Sequence, residues 1–298
     1  MDKEMTVNTV NMEETIYEIK NVDAIKVKER ASIPTVCKLG YEMGNACGAV
    51  FNDDCLRLMP KIPDRSIDFI LCDLPYGRTQ NKDDAQIPFD SLWKEYRRII
   101  KPNGCIALFA DGMFMADLMK SNEKWWRYNL VWDKVLKSGF LNSHKMPLRQ
   151  HEEICIFYKK PPTYNPQFTE GSPLHGQGER SKKKGFVKNN RNYGEFRAIG
   201  DERKGSTEKY PTSIITIPKP HPSKALHRTE KPVELCEWLI KTYTNEGDIV
   251  LDNCMGSGST CVAAIKNKRI FIGIEKSEEY YRVARDRIDK EQQALWTV

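Results

Sequence analysis

The chain has 298 residues, 40% of them hydrophobic and 30% charged, enough for one large α/β domain with an insertion or for two modest domains. No apolar stretch approaches the ~20 residues of a membrane span, and the mixed-charge start lacks the apolar core of a signal peptide, so a soluble cytoplasmic protein is expected. The net charge of +6 is segregated: residues 160–226 hold 13 Lys and Arg against 6 Asp and Glu, whereas the remainder is close to neutral, which points to a surface for a polyanion.

Residues 1–47 are polar and carry no strong period. Ile25-Lys26-Val27-Lys28 alternates as an edge strand would, and no chemistry is assigned to this segment. Residues 55–59 predict a short helical piece ending at Pro60. The run 66–72, Ser-Ile-Asp-Phe-Ile-Leu-Cys, reads as a buried strand with Asp73-Leu74-Pro75-Tyr76 at its carboxyl edge, where open α/β sheets bind ligands. Taken alone, that tetrapeptide also fits an ordinary solvated turn, because Asp and Pro favour turns. Residues 77–90 are polar and read as a loop over a site.

The spacing of Leu92, Tyr96, Ile99 and Ile100 predicts a helix over 91–101, stopped by Pro102-Asn103-Gly104. Strands are expected at 105–110, 128–132 and 153–158, with a helix at 113–120 between the first two. This strand–helix rhythm breaks at residues 161–226, rich in Pro, Gly, Ser, Asn, Lys and Arg with aromatics interspersed. Such a stretch is too long for a simple loop and reads as an insertion subdomain or a segment ordered by a partner. Lys182-Lys183-Lys184 heads its densest charge run, so contact with nucleic acid is expected. Regular structure resumes with a helix at 232–243, a strand at 248–252, a helix at 258–266 and a strand at 269–274 ending in Glu275. A last helix starts from Ser277 as N-cap.

Nine cysteines contain no C-x-x-C pair, so neither a zinc site nor a disulfide framework is indicated, and no metal is assigned. Asp252-Asn253-Cys254-Met255-Gly256-Ser257-Gly258-Ser259-Thr260 joins a strand to a helix through a glycine turn. Glycines there let a ligand approach the helix N-terminus closely. Glu275 lies 17 residues past Gly258, near the ~20-residue offset at which an acidic residue binds ribose hydroxyls, so the unit reads as a nucleoside-cofactor site. A phosphate-binding P-loop is disfavoured, because no Lys precedes Ser259 or Thr260.

Asp73-Leu74-Pro75-Tyr76 resembles the D-P-P-Y motif of amino-methyltransferases, and residues 252–260 resemble their D-P-F-x-G-S-G-T-T cofactor motif. His227-Arg228-Thr229-Glu230-Lys231-Pro232 is similar to the H-P-T-Q-K-P element of one permuted subgroup, and residues 151–158 to the strand before its target-recognition segment. In this order, over about residues 50–290, the chain resembles DNA adenine-N6 methyltransferases of the N4/N6 amino family with the beta-type arrangement. Leu74 departs from the family's first proline, where the backbone carbonyl carries the chemistry. Asn253 and Cys254 replace its Pro-Phe pair.

The resemblance implies a Rossmann-like methyltransferase fold, doubly wound and mostly parallel, with permuted motif order. It divides the chain into an unassigned arm (1–47), a catalytic half (48–160), a target-recognition insertion (161–226) and a cofactor-binding half (227–298). It implies S-adenosylmethionine as cofactor and double-stranded DNA as partner, is compatible with a homodimer, and places the protein in a bacterial or phage-infected cell. Catalysis falls to Asp73, Leu74, Pro75 and Tyr76. Cofactor binding falls to Asp54, Asp73, Thr229, Lys231, Asp252, Met255, Gly256, Ser257, Gly258, Ser259, Thr260, Glu275 and Lys276. DNA contact is expected from Arg78, Lys182, Lys183, Lys184, Lys188 and Arg191. Alternatives are N4-cytosine methylation, disfavoured by Asp73 where the cytosine enzymes usually have Ser, an RNA adenine methyltransferase, and an inactive DNA-binding homologue.

Overall fold

A computed structural model describes residues 48–77, 85–173, 187–190, 194–197, 205–220 and 230–296. The expected edge strand at 25–28 lies outside them. The strands are β1 (Gly48–Asn52), β2 (Ile67–Cys72), β3 (Ile100–Ala110), β4 (Trp126–Ser138), β5 (Arg149–Phe157), β6 (Thr169–Glu170), β7 (Val187–Asn190), β8 (Gly194–Arg197), β9 (Glu208–Lys209), β10 (Ile214–Thr216), β11 (Ile249–Asp252) and β12 (Ile270–Glu275). The helices are α1 (Cys55–Leu58), α2 (Phe89–Ile99), α3 (Gly112–Ser121), α4 (Val233–Tyr243), α5 (Ser259–Lys266) and α6 (Glu278–Trp296). None of the described helices is long and apolar enough to cross a membrane.

Eight strands form one sheet in the order β1-β12-β11-β2-β3-β5-β4-β10. Only β5 among them runs against the rest. The central strands are apolar on both faces because helices cover both. On β2, Ile70 and Cys72 join a core with Trp93, Tyr96 and Ile99 of α2 and Leu118 of α3. The alternate residues Phe69 and Leu71 join a second core with Leu235 and Leu239 of α4, Ala263 of α5 and Ile288 of α6. Each large side chain so buried stabilises the fold by about 1.5–3 kcal/mol.

The order of the strands creates the site. From β2 the chain passes through α2 to β3 on one side, and from β11 through α5 to β12 on the other. β2 and β11 are neighbours, with Leu251 opposite Ile70. A crevice therefore opens between their carboxyl ends, which is where doubly wound sheets bind ligands.

Several elements differ from expectation. β1 lies in residues 48–54, for which no element is expected above, yet it pairs in parallel with β12 and forms the sheet edge. Pro102-Asn103-Gly104, expected as a turn that stops a helix, lies instead within β3, where the register shifts: Ile67 pairs with Ile100 while Phe69 already pairs with Cys105. The extra residues bulge, and a side chain at Gly104 would come 2.8 Å from the Asp68 carbonyl oxygen.

The compact units also have different limits from the expected insertion. Pro166–Thr212 forms a unit of its own, with antiparallel pairs β6–β9 and β7–β8. Residues 213–220, expected inside the insertion, belong instead to the sheet unit, since β10 pairs with β4. At the other limit, the side chain of Asn165 donates to the Lys241 and Thr244 carbonyls at the end of α4, tying it to the same unit.

One buried hydrogen bond ties α2 to the loop after β11: Tyr96 Oη donates to Asn253 Oδ1 at 2.5 Å. Tyr96→Phe removes the donor and leaves a buried amide oxygen unsatisfied. Denaturant unfolding is expected to show a loss of about 1–3 kcal/mol; an unchanged midpoint would show that this bond does not hold the loop.

Candidate active site

A cavity of about 1220 Å³ occupies the crevice. Its walls come from the carboxyl ends of the strands: Asp54 after β1, Asp73 to Tyr76 after β2, Asp111 after β3, the loop after β11 and Glu275 on β12. Lys134 of β4 and Glu152 of β5 complete it on the far side.

At one end the glycine loop is tied to β12. Both Glu275 oxygens accept backbone hydrogen bonds, Oε2 from Gly256 N–H (2.8 Å) and Oε1 from Ser277 N–H (2.8 Å). Gly258 has φ of 79°, and a side chain there would meet the Ala284 Cβ at 3.1 Å, so the loop enters α5 pressed against α6. Arg287 of α6 braces the same turn from behind, donating to the Ser257 carbonyl oxygen (3.2 Å) and to Ser259 Oγ (3.1 Å) while pairing with Glu230 (2.8 Å).

The carboxylates here are poised differently. Asp54 caps α1 by accepting from Leu56 N–H (2.9 Å) and pairs with Lys276 (3.1 Å). Burial raises its pKa, but these partners outweigh burial and hold it below the usual range. Asp252 accepts from Cys254 N–H (3.2 Å) and Thr260, yet burial dominates and pushes its pKa up to about 7. A cationic ligand in the cavity would favour its charged form.

At the other end Asp73 is gripped on both oxygens. Lys231 Nζ donates to Oδ2 at 2.6 Å, and Tyr76 Oη to Oδ1 at 3.2 Å. Lys231 also lies 3.2 Å from Glu152 Oε2 and 4.8 Å from the centre of the Phe109 ring. Lys134 then pairs with the other Glu152 oxygen at 3.1 Å. Charges thus alternate along Asp73, Lys231, Glu152 and Lys134. Burial pushes both carboxylates up, but Glu152 faces two lysines and ends below its usual range. Asp73 shares one lysine with Glu152 and stays raised. Burial pulls Lys231 down, but the two carboxylates outweigh it and leave it raised.

The tetrapeptide's other members take distinct places. Leu74 is buried in the core beneath the site, and Pro75 and Tyr76 line the cavity. The Tyr76 ring stacks on Phe114 with centroids 4.5 Å apart and planes at 23°.

The family model of the N6/N4 methyltransferases, described as DNA methylase, matches residues 67–286. The chain belongs to this DNA methylase family. It is 27% identical over 272 residues to the DNA adenine methyltransferase YhdJ of Escherichia coli (strain K12), covering 83% of this chain and 84% of that protein. The fold resembles the M1.HpyAVI–SAM complex (TM-score 0.53, 22% identity, 80% of this chain and 99% of that one). It also resembles the PvuII cytosine-N4-specific DNA methyltransferase (TM-score 0.57, 16% identity, 83% and 92%). As a member of this family the chain is a DNA methyltransferase, with S-adenosylmethionine as its methyl donor.

For this methylase the structure brings together Asp54, Asp73 to Tyr76, Lys231, Asp252, Met255, Gly256, Ser257, Ser259, Thr260, Glu275 and Lys276 around one cavity. Gly258 shapes the loop rather than the wall. Lys231, expected at the cofactor, has its ammonium on the Asp73 carboxylate. Thr229, Arg78, Lys182, Lys183, Lys184 and Arg191 lie outside the described residues, and of Lys188 only the backbone, in β7, is described. Sequence reasoning missed Glu152, Lys134, Phe109 and Arg287. Glu152 stood within a motif-bearing strand, and a charged residue inside an apolar strand was the available signal. Lys134 and Arg287 carried none, because their partners are distant in sequence.

Lys231→Met keeps an apolar stem beside Phe109 but leaves Asp73 facing Glu152 without the lysine between them. The Asp73 pKa should climb further, since its main lowering influence is gone and the repulsion remains. With ionised Asp73 as the acceptor proposed below, the acid limb of the methylation rate profile should move to higher pH, with a loss that is largest at the acid end and shrinks towards pH 9. An acid limb in the wild-type position would show that Lys231 does not set this charge.

Proposed function

We propose that the chain methylates the N6 amine of adenine in double-stranded DNA, on a base turned out of the helix into this cavity. The observation that carries this reading is an Asp at position 73, its carboxylate at the wall of the cavity that also holds the glycine loop. The similarity to YhdJ, a DNA adenine methyltransferase, supports it.

The residues fit the cofactor expected of the family. S-adenosylmethionine carries a net positive charge, and three carboxylates face its end of the cavity: Asp54, Asp252 and Glu275. Asp252 is the telling one, because its raised pKa marks a carboxylate that burial alone leaves under-compensated. When bound, the cofactor supplies an electrophilic methyl group on sulfur.

The protein's part is to make a poor nucleophile competent. The exocyclic amine of adenine donates its lone pair into the ring. With one amine hydrogen on Asp73 and the other on the Leu74 carbonyl, the nitrogen pyramidalises and its lone pair is freed. Asp73 Oδ1 is the acceptor, because its 3.2 Å bond to Tyr76 is weaker than the 2.6 Å bond joining Oδ2 to Lys231. With the cofactor bound, the freed lone pair would take up its methyl group as the methyl–sulfur bond breaks and the thioether departs, and Asp73 would accept the surplus amine proton. Orientation and the nearby negative charge do the catalytic work. Tyr76, backed by Phe114, offers its ring as a stacking platform worth about 1–3 kcal/mol against the few kcal/mol of unstacking. The 166–212 unit, within the basic segment 160–226, is assigned target recognition on that segment's basic excess.

Modification-sensitive sequencing of DNA from cells expressing the gene tests this reading. The expected outcome is N6-methyladenine at one defined sequence motif, absent in cells expressing Asp73→Ala. N4-methylcytosine at a defined motif would replace adenine by cytosine, and full methylation by Asp73→Ala would remove the carboxylate from the mechanism.

A further inference from the structure

Five of the exposed large apolar side chains fall within one hairpin, at Val135, Leu136, Phe140, Leu141 and Met146. This hairpin joins β4 to β5. Because β4 runs in the same direction as β2 and β3, it leaves the sheet from the edge that carries the active site. Its root is part of the cavity wall, through Lys134, Ser138 and Arg149.

The strand end is deliberately turned. The pairing of β4 with β5 slips between Asp133 and Ser138, and Val135 holds a φ of 60°, strained for a β-branched residue. Asp133 Oδ1 fixes the bend by accepting from Val135 N–H (2.9 Å) and Gln150 Nε2 (3.0 Å). The outcome is a tip, Phe140–Asn142, in a single 3₁₀ turn, with Phe140 67% and Leu141 99% exposed. Scattered apolar residues on a surface need no explanation, but an ordered apolar cluster at an active-site rim marks a contact surface.

Charge selects the partner. Residues 134–151 contain no Asp or Glu; of their cations Lys134 is committed to Glu152 and Arg149 to Asp111 (3.2 Å), which leaves the exposed Lys137 and Lys145 beside the apolar tip. An apolar tip on a cationic base matches DNA, whose phosphates take the cations and whose base stack takes the apolar side chains. The cavity beside it is where the methylated base must go. We infer that the Phe140–Leu141 tip is a strand-opening wedge, entering the base stack next to the target and filling the space that the flipped base vacates. This rests on the DNA methyltransferase reading above.

The test uses the full-length enzyme on two duplexes bearing the motif found by sequencing, one fully paired and one with an abasic site opposite the target base. The double variant Phe140→Ala/Leu141→Ala, altering only exposed side chains, should lose about tenfold or more in kcat/KM on the paired duplex and stay within about twofold of wild type on the abasic one, where opening costs little. Leu141→Phe, which keeps an apolar tip, should retain the paired activity. Equal losses on both duplexes, or no loss on the paired one, would overturn the wedge while leaving the methyltransferase reading intact. Wild-type enzyme that methylates neither duplex would overturn both.

Discussion

The pairing of Asp73 with Lys231 is the constraint on which the rest of the site depends. A carboxylate that must accept an amine hydrogen has to be ionised, and it has to sit where water is scarce enough for its charge to count. Those demands conflict, because burial favours the protonated form. The 2.6 Å bond from Lys231 offsets part of that penalty and fixes Oδ2, while Oδ1 carries only the longer 3.2 Å bond from Tyr76. Burial nonetheless keeps the Asp73 pKa above the ordinary carboxylate value.

The lysine in turn needs a place to stand. It rests over the Phe109 ring and between two carboxylates, and the second of these, Glu152, is balanced by Lys134. Asp73 follows β2, Glu152 is on β5, Lys134 on β4, and Lys231 precedes α4. The ion chain therefore exists only when the sheet is assembled in register, with Glu152 directly opposite Trp132 and Lys134 two residues further along. The charge on Asp73 is in this sense a property of the tertiary fold. The cofactor end is built differently, from backbone: Glu275 clasps the glycine loop through two N–H groups, and Arg287 braces its far side.

Much of this was legible in sequence where the signal is local. The β2 run and its tetrapeptide, the glycine loop and the acidic residue ending β12 announce themselves within a few residues, and motif order supplied the permuted fold. What was missed depends on pairing between distant segments. β1 is five residues long and follows a polar stretch, and only its pairing with β12 makes it a strand. The turn signal at Pro102-Asn103-Gly104 marked a bulge inside β3, because a bulge and a turn ask for the same residues. β10 was hidden in a basic, proline-rich stretch where its three residues give no readable alternation. Lys231 was placed by motif at the cofactor, and only coordinates reveal its ammonium on Asp73.

The most direct test of the account is a crystal structure of the enzyme with its target duplex and a non-reactive S-adenosylmethionine analogue. The account requires the exocyclic amine to donate to Asp73 Oδ1 and to the Leu74 carbonyl oxygen, with Lys231 still bound to Oδ2. An amine held by other groups, or a Lys231 that has left Asp73 in the ternary complex, would contradict it.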